Sequence, residues 1–269
     1  MYKVELSGQV MRFDEVTAGV GVVRLEGTQM VVHSYCVDGV LIDTGSASLA
    51  AVFKPFFDSV SYDQIMLTHY HEDHIGNMNI VQSVPIFIHA SSQPKTETPC
   101  QLPAYRQQYW GQPSPFISQA LPTTFTSRTH TWQVIETPGH TQDHVAFLNE
   151  SIGALFSGDL FVTPKPRIVL VDENIMDTWR SLKYVMQYDF DSVYCAHAGL
   201  LKNGKEMIQA KIDFIEHIIG EVAHARRSGM TLAAITEQIF PKTAPIVSYS
   251  NGEWSSTHIV RAILQEVSN

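Results

Sequence analysis

The chain has 269 residues, of which 44% are hydrophobic and 17% are charged, a composition that is ordinary for a soluble globular protein. This length allows one large domain, or one domain with an appendage. Residues 1–200 carry 11 Lys and Arg against 20 Asp and Glu, and they account for the whole net charge of −9. This acidic excess argues against nonspecific nucleic-acid binding, which needs a basic surface.

The cysteines and the N-terminus bear on the compartment. Cys36, Cys100 and Cys195 form no CxxC pair, and so sparse and odd a set predicts no disulfide framework. The first residues lack the long apolar core of a signal peptide, and no apolar run reaches membrane-spanning length. We therefore expect a cytoplasmic protein without a membrane span.

Short apolar segments rich in β-branched residues predict strands throughout the first 160 residues. These segments are residues 20–25, 30–37, 40–42, 65–67, 84–88, 132–135, 145–148 and 154–156. Asp38-Gly39 is a hairpin turn signal, and Ser46 is predicted to cap a helix whose apolar residues recur at helical spacing. Helical segments between buried strands indicate a layered α/β core.

Residues 91–130 have a different composition, rich in Ser, Pro, Thr and Gln. We interpret them as a long insertion, and such segments in compact domains are often functional. An equal alternative is a surface excursion that its aromatic residues merely anchor. If the segment is functional, we expect it to shape a pocket or a dimer contact.

Beyond residue 203 the pattern becomes helical. Apolar residues recur on one helix face from residue 208 to residue 222, and Gly229 predicts the end of that helix. Thr231 begins a second predicted helix, which Pro241 ends. A last helix is predicted near the C-terminus, at about residues 258–267.

The segment that follows the strand at 65–67 carries the strongest functional signal. His69, His71, Asp73 and His74 place four metal-type ligands within six residues. Imidazole nitrogens and carboxylate oxygens are ligands of zinc, and neighbouring side chains on one loop can face two ions. The spacing therefore predicts a two-metal centre, which needs six or seven protein ligands.

Three further candidate ligands each follow a short apolar strand. They are His140, Asp159 and His197. Side chains at the ends of neighbouring strands can converge, so we expect these three to approach the histidine-rich loop. Each one is a weak signal by itself, and their occurrence together is the strong one.

Together these motifs resemble the metallo-β-lactamase fold superfamily over about residues 20–200, in its glyoxalase II-like and lactamase-β-2-like branch. The matching stretches are residues 41–45, 69–74, 139–141 and 157–159, with His197. The resemblance implies an α/β fold, a four-layer αββα sandwich with the site at one edge and a small C-terminal helical appendage. We therefore divide the chain into a catalytic domain at 1–200 and a helical region at 201–269.

The same resemblance implies a role for each candidate ligand. The set is His69, His71 and His140 for the first metal, Asp73, His74 and His197 for the second, Asp159 as the bridge, and Asp43 as a buttress of the histidine loop. One departure is Cys195-Ala196 before His197, where relatives often have Pro-Gly. We expect it to change the turn and to leave the ligand in place.

These residues predict a metal-dependent hydrolase that acts on a small-molecule ester, thioester or lactone. The nucleophile is a hydroxide bound by two divalent ions, zinc as first choice with manganese or iron as alternatives. Such ions lower the pKa of their water toward ~7 and polarise the substrate carbonyl. Asp73 is the predicted catalytic residue, since a carboxylate there can take a proton from the water and pass it to the leaving group.

Other activities of the superfamily stay open as alternatives. A phosphodiesterase or ribonuclease of the same fold is one, although the acidic catalytic half speaks against nucleic acid as a partner. A mononuclear iron sulfur dioxygenase is another. A non-catalytic scaffold is disfavoured by the intact ligand set, and a homodimer is left open.

Several residues near the motifs receive structural interpretations. We interpret Tyr70 and Glu72 as loop spacers within the motif, and His144 as a hydrogen-bonding residue instead of a ligand. The aromatic residues that are candidates either for lining an apolar pocket or for packing in the core are Tyr109, Trp110, Phe161 and Trp179.

Overall fold

The first sheet has seven strands in the computed structural model, which describes residues 5–25 and 28–267. In chain order they are β1 Glu5–Phe13, β2 Val16–Leu25, β3 Thr28–Val37, β4 Val40–Ile42, β5 Gln64–Met66, β6 Ile86–Ile88 and β7 Gln119–Ala120. They lie side by side in that order. The first four strands pair antiparallel, whereas β4 to β7 run parallel to one another.

Six strands form the second sheet, and two more form a small separate ladder. In chain order the eight are β8 Thr124–Thr126, β9 Thr131–Glu136, β10 Val145–Asn149, β11 Ala154–Gly158, β12 Val169–Leu170, β13 Ser192–Cys195, β14 Gly199–Leu201 and β15 Trp254–Ser255. The second sheet has the order β14-β13-β11-β10-β9-β8. Strands β12 and β15 pair with each other, which ties the end of the chain to the middle.

Eight α-helices are described. They are α1 Ala50–Ser59, α2 Gln93–Thr96, α3 Ala104–Trp110, α4 Ile175–Val185, α5 Gly204–Arg227, α6 Leu232–Ile239, α7 Pro245–Tyr249 and α8 Ser256–Val267. Short 3-10 turns at Ala47–Leu49 and Glu150–Ile152 complete the helical elements. None of the described helices combines the length and the apolar character needed to cross a membrane.

Three hydrophobic cores separate four layers, so the predicted αββα sandwich is confirmed. The core between the sheets contains Tyr35, Ile42, Met66, Trp132, Phe147 and Phe156. Helix α1 covers the outer face of the first sheet with Phe53, Phe56 and Phe57. The outer face of the second sheet is covered by α4, α5, α6 and α8, through residues such as Leu182, Ile212, Ile235 and Ile259.

Two glycines of β2 let α1 pack close to the first sheet. A Cβ atom at Gly19 would lie 2.5 Å from the Phe56 ring, and one at Gly21 would lie 2.8 Å from the Phe53 ring. Such distances are shorter than van der Waals contact, so larger residues there would push the helix away. The close fit buries both rings almost completely.

Most of the predicted strands coincide with observed ones. The hairpin predicted at Asp38-Gly39 joins β3 to β4, and both residues have the positive φ angles that a tight hairpin turn requires. The predicted Ser46 cap is wrong, because Ser46 precedes a 3-10 turn and its side chain makes no cap hydrogen bond. Strand β1 and helix α4 were not predicted. The exposed pattern of β1 carries little apolar periodicity, which explains the omission of that strand.

The 91–130 segment adds structure to both sheets. It contributes α2 and α3, and its strands β7 and β8 extend one edge of each sheet. The three main C-terminal helices form as predicted, and Thr231 caps α6 by accepting from the Ala234 amide. Because α5 shares a core with the second sheet, it forms part of the outer layer. The domain boundary at residue 200 stays a prediction.

Candidate metal centre

The candidate ligands lie in loops at one edge of the two sheets. The loop with His69, His71, Asp73 and His74 begins just after β5, Asp159 directly follows β11, and His197 comes two residues after β13. His140 lies between β9 and β10. A glycine is required before Asp159, because Gly158 has a φ of +47° and its Cβ would lie 2.7 Å from Nε2 of His144. Strand ends therefore deliver all seven side chains to one place.

The seven predicted ligands form overlapping groups in which the ligand atoms lie within 4.8 Å of one another. These groups are His69, His71 and His140; Asp73, His74 and His197; and His69, His74 and Asp159. The first two groups share no residue, so the cluster has two halves of three ligands each. Such an arrangement provides two candidate positions for a cation.

Asp159 lies between the two halves. Its Oδ2 is 3.3 Å from Nε2 of His140 and 3.0 Å from Nε2 of His197, and its Oδ1 is 3.5 Å from Nε2 of His74. One carboxylate thus contacts both sides of the cluster. This is the geometry expected of a carboxylate that bridges two cations.

A chain of hydrogen bonds fixes the histidine loop from behind. Asp43 accepts from the Thr68 amide and hydroxyl, both at 2.8 Å, and from Nδ1 of His74 at 2.8 Å. Because the Thr68 hydroxyl donates to Asp43, it accepts from Nδ1 of His69 at 3.0 Å. Both imidazoles are therefore held with Nε2 facing the cluster. Asp43 thus holds His74 directly and His69 through Thr68.

Two more histidines are oriented by partners that the sequence did not reveal. Nδ1 of His140 lies 3.0 Å from the carboxylate of Glu173, directly before the helix α4 cap Asn174. Nδ1 of His197 donates to the Val31 carbonyl at 2.6 Å. Partners of this kind fix the tautomer and the direction of a metal-binding imidazole. Glu173 lies in no recognisable motif, so no pattern in the chain marks it for this position.

The donor atoms fit a bound cation. Nε2 of His69, Nε2 of His74 and Oδ1 of Asp159 are buried and have no hydrogen-bond partner within the described part of the chain. Leaving such atoms unsatisfied is costly, and cations in the two halves of the cluster would satisfy all three. Imidazole and carboxylate donors together suit zinc, iron or manganese. The residues present therefore fit a site for two divalent metal ions.

The pKa values of the histidines shift in opposite directions. Burial lowers the pKa of His69 and His71 well below the usual value, which keeps both in the neutral form that ligates metals. Burial also acts on His197, but the facing Asp159 and Asp73 outweigh it and raise the pKa of this imidazole to about 9. The two carboxylates therefore favour positive charge at the His197 side of the cluster.

The side chain of Cys195 shapes the turn that leads to His197. The buried Cys195 sulfur accepts from the amides of His197 at 3.5 Å and Ala198 at 3.4 Å. Burial raises the pKa of this thiol, so the sulfur stays protonated.

His144 makes the predicted structural hydrogen bonds, to the Thr137 hydroxyl at 2.7 Å and the Asp159 amide at 3.0 Å.

Glu72 is not the spacer that the sequence predicted. Its side chain is 1% exposed and accepts two hydrogen bonds from Arg106, at 2.6 and 2.7 Å. Arg106 lies on α3 and also reaches Glu253, at 3.2 Å. Burial raises the pKa of Glu72, and the guanidinium opposes that shift. This ion-pair triad joins the metal loop to the 91–130 segment and to the C-terminal region.

Lys211 is a fully buried lysine beside the centre. Its ammonium donates to the carbonyls of Leu160 at 2.8 Å and Phe161 at 2.6 Å, in the turn that follows Asp159. That turn contains Val162 at a φ of +51°, a strained value for a β-branched residue. Lys211 interrupts the apolar face of α5, and such an interruption is a signal that sequence analysis could have used.

The cluster opens into a cavity of about 440 Å³. Five of the seven ligands reach its lining, namely His71, Asp73, His140, Asp159 and His197. Of the four candidate pocket aromatics, Tyr109 and Trp110 line the cavity, whereas Phe161 and Trp179 pack in the core behind the second sheet. A four-layer sandwich with a His/Asp cluster at the base of a cavity defines a metal-binding enzyme.

The chain belongs to the metallo-beta-lactamase superfamily, whose family model matches residues 27–197. Among solved structures, it resembles a metallo-beta-lactamase family protein from Thermus thermophilus, with a TM-score of 0.64 and 17% identity over 98% of this chain and 94% of that one. A protein solved in a di-iron-bound form gives a TM-score of 0.54 and 26% identity over 66% of this chain and 92% of that one.

Curated relatives point to hydrolases. The chain is 24% identical to the Drosophila melanogaster beta-lactamase-like protein 2 homolog, over 66% of this chain and 61% of that protein. It is 25% identical to an Aspergillus fumigatus atrochrysone carboxyl ACP thioesterase, over 90% of this chain and 70% of that protein. It is 28% identical to a Psychromonas ingrahamii hydroxyacylglutathione hydrolase, over 71% of this chain and 69% of that protein. Family and relatives together make the chain a metallohydrolase.

Proposed function

We propose that the chain hydrolyses a carboxylic ester-type bond in a small molecule, with thioesters first and esters and lactones next. The observation that carries this proposal is the position of the cluster at the base of a largely apolar cavity. A cavity of this volume is of the size that binds small molecules. The thioesterase and hydroxyacylglutathione hydrolase among the relatives support the thioester as first choice.

We further propose that two divalent ions occupy the cluster, with zinc as first choice and iron or manganese as alternatives. His69, His71 and His140 would hold one ion, Asp73, His74 and His197 the other, and Asp159 both. When bound, such ions supply hydroxide at neutral pH and polarise the substrate carbonyl. The di-iron form of a structural relative supports two ions, and it keeps iron among the candidates.

The chain's own residues hold the reacting groups and move the proton. Asp73 lines the cavity beside the cluster, with Oδ2 3.5 Å from Nε2 of His197. It accepts a proton from the water whose oxygen bonds to the acyl carbon. It gives that proton to the departing thiolate or alkoxide as the bond from the acyl carbon to sulfur or oxygen breaks. Glu173, Asp43 and the Val31 carbonyl keep the imidazoles aligned. The apolar walls exclude bulk water from the reacting carbonyl.

The test is a substrate panel of thioesters, esters, lactones and single-stranded RNA, applied to protein purified without chelators. We expect thioester turnover, and we expect Asp73→Asn to lose activity; full activity of this variant with metal still bound would show that Asp73 does not carry the proton. Cleavage of RNA without any ester or thioester turnover would overturn the proposal in favour of the nuclease. Oxygen consumption with a persulfide and about one iron per chain would overturn it in favour of the dioxygenase.

A further inference from the structure

The far wall of the cavity is aromatic and apolar, and it comes from two segments remote in sequence. Helix α3 provides Tyr105, Tyr109 and Trp110, and the C-terminal region provides Ile246 and Trp254. Aromatic rings pack well against other rings, edge to face or offset, and each buries a large apolar area. This wall therefore favours a ligand with a bulky apolar part.

Two of the three cations in the lining are already engaged. The partly buried Arg106 binds the carboxylates of Glu72 and Glu253, and the buried Lys211 donates to two backbone carbonyls. The third lining cation, Arg167, is exposed to solvent. Neither Arg106 nor Lys211 is therefore free to bind a substrate carboxylate.

The acids of the lining are likewise engaged at the cluster. Asp73, Asp159 and Glu173 all reach the cavity, and each faces a histidine of the cluster. A carboxylate on the acyl part of a substrate would therefore be buried against the apolar wall, with neither Arg106 nor Lys211 free to pair with it. Burying an unpaired charge is strongly unfavourable, so the cavity selects against anionic acyl groups.

We propose that this cavity selects bulky, uncharged acyl groups that carry an aromatic ring, and that α3 and the C-terminal region form the acyl-binding wall. The proposal rests on the proposed hydrolase function and narrows its substrate class. The acyl carbon lies over the cluster, and its ring packs against Tyr105, Trp110 and Trp254.

The first test compares thioesters of one thiol, N-acetylcysteamine, that differ only in the acyl group. We expect kcat/KM for 2-naphthoyl to exceed that for acetyl by at least about tenfold, since one well-filled apolar pocket discriminates by that much. Pentanoyl and glutaryl have the same length and differ by one carboxylate. We expect kcat/KM for the glutaryl thioester to be at least about tenfold lower than that for the pentanoyl thioester. Equal values within both pairs would overturn the proposal.

Variants of the wall supply the second test. Trp254→Ala should lower the ratio of naphthoyl to acetyl turnover, and Ile246→Trp should lower it by filling the cavity. Trp179→Ala is the matched control, because Trp179 is also half-buried but lies outside the cavity. Thermal melts identify any variant that fails to fold. An unchanged ratio in both folded wall variants would contradict the assignment of the wall.

A binding measurement separates this proposal from the reaction itself. Ketone analogues, with CH₂ in place of the thioester sulfur, bind without being hydrolysed, and calorimetry gives their Kd. We expect the naphthyl ketone to bind at least about tenfold more tightly than the methyl ketone. Equal affinities would overturn the acyl preference even if thioesters are hydrolysed. Tighter naphthyl binding without turnover of any thioester would support the wall and overturn the reaction.

Discussion

The floor and the wall of the cavity are built in opposite ways. The floor consists of seven ligand-type side chains at strand ends, and four of its histidines are oriented by close neighbours such as Asp43 or Glu173. The wall consists of aromatic and apolar residues from α3 and the C-terminal region, and the partly buried triad of Glu72, Arg106 and Glu253 connects it to the floor. We therefore expect variants of the floor to change the reaction rate, and variants of the wall to change the preference among acyl groups.

The largest expected effect concerns the floor. Asp159→Asn keeps the shape of the side chain but removes the charge that lies between the two halves of the cluster. We expect lower metal content and a loss of activity of about 10³-fold, as for the removal of a major electrostatic group. The control is Asp189→Asn, whose carboxylate is 97% exposed on the surface. Full activity of Asp159→Asn with two ions bound would contradict the bridging role.

The next effect concerns the ion-pair triad of Glu72, Arg106 and Glu253, which joins the floor to the wall. Arg106→Met leaves the Glu72 carboxylate buried without its partner, so we expect the free energy of unfolding to fall by about 3 kcal/mol. Urea denaturation measures the loss. The double variant Glu72→Met/Arg106→Met should recover most of it, since an apolar pair leaves no buried charge. Equal stability of wild type and Arg106→Met would show that the triad does not stabilise the contact between the floor and the wall.

A smaller effect tests the orientation of one floor ligand. Glu173→Gln weakens the hold on Nδ1 of His140, and we expect metal affinity to fall by roughly tenfold, the lower end for such outer partners. Competition with a chromogenic chelator measures the affinity. Glu136→Gln, on an exposed strand position, serves as control. An unchanged affinity would mean that Glu173 does not position the imidazole.

The smallest effect concerns the lysine under the floor. Burial lowers the pKa of Lys211 to about 8, so between about pH 8 and the unfolded value near 10.4 the unfolded chain binds a proton that the folded chain has lost. Stability therefore rises with pH in that window. Relative to Lys211→Met, the wild type should gain about 1 kcal/mol from pH 8.5 to 9.5. A flat difference between the two unfolding curves would contradict this assignment.

Sequence analysis predicts the floor far better than the wall. His69 to His74, His140, Asp159 and His197 are predictable because they lie in short motifs that follow apolar strands and that resemble those of the metallo-β-lactamase superfamily. The wall depends on the packing of remote segments, and no spacing places Tyr105 near Trp254. Glu72 was misjudged for the same reason, since its partner Arg106 lies 34 residues away on a helix that was not predicted.

The fold shows the same division. Strands with apolar periodicity were predicted, and β1 was missed because its exposed face offers none. Lys211 shows a signal that sequence analysis could have used, a charge on the apolar face of a long helix. Side chains whose role depends on local pattern are predictable, and those whose role depends on tertiary partners are not.

We propose above that the seven ligands assemble into a centre for two ions. Metal content per chain tests this, measured by elemental analysis of protein purified without chelators and again after chelation and reconstitution. We expect close to two zinc, iron or manganese ions per chain, lost on chelation and regained on reconstitution. Protein that holds no metal, and takes up none when zinc, iron or manganese is supplied, would contradict it.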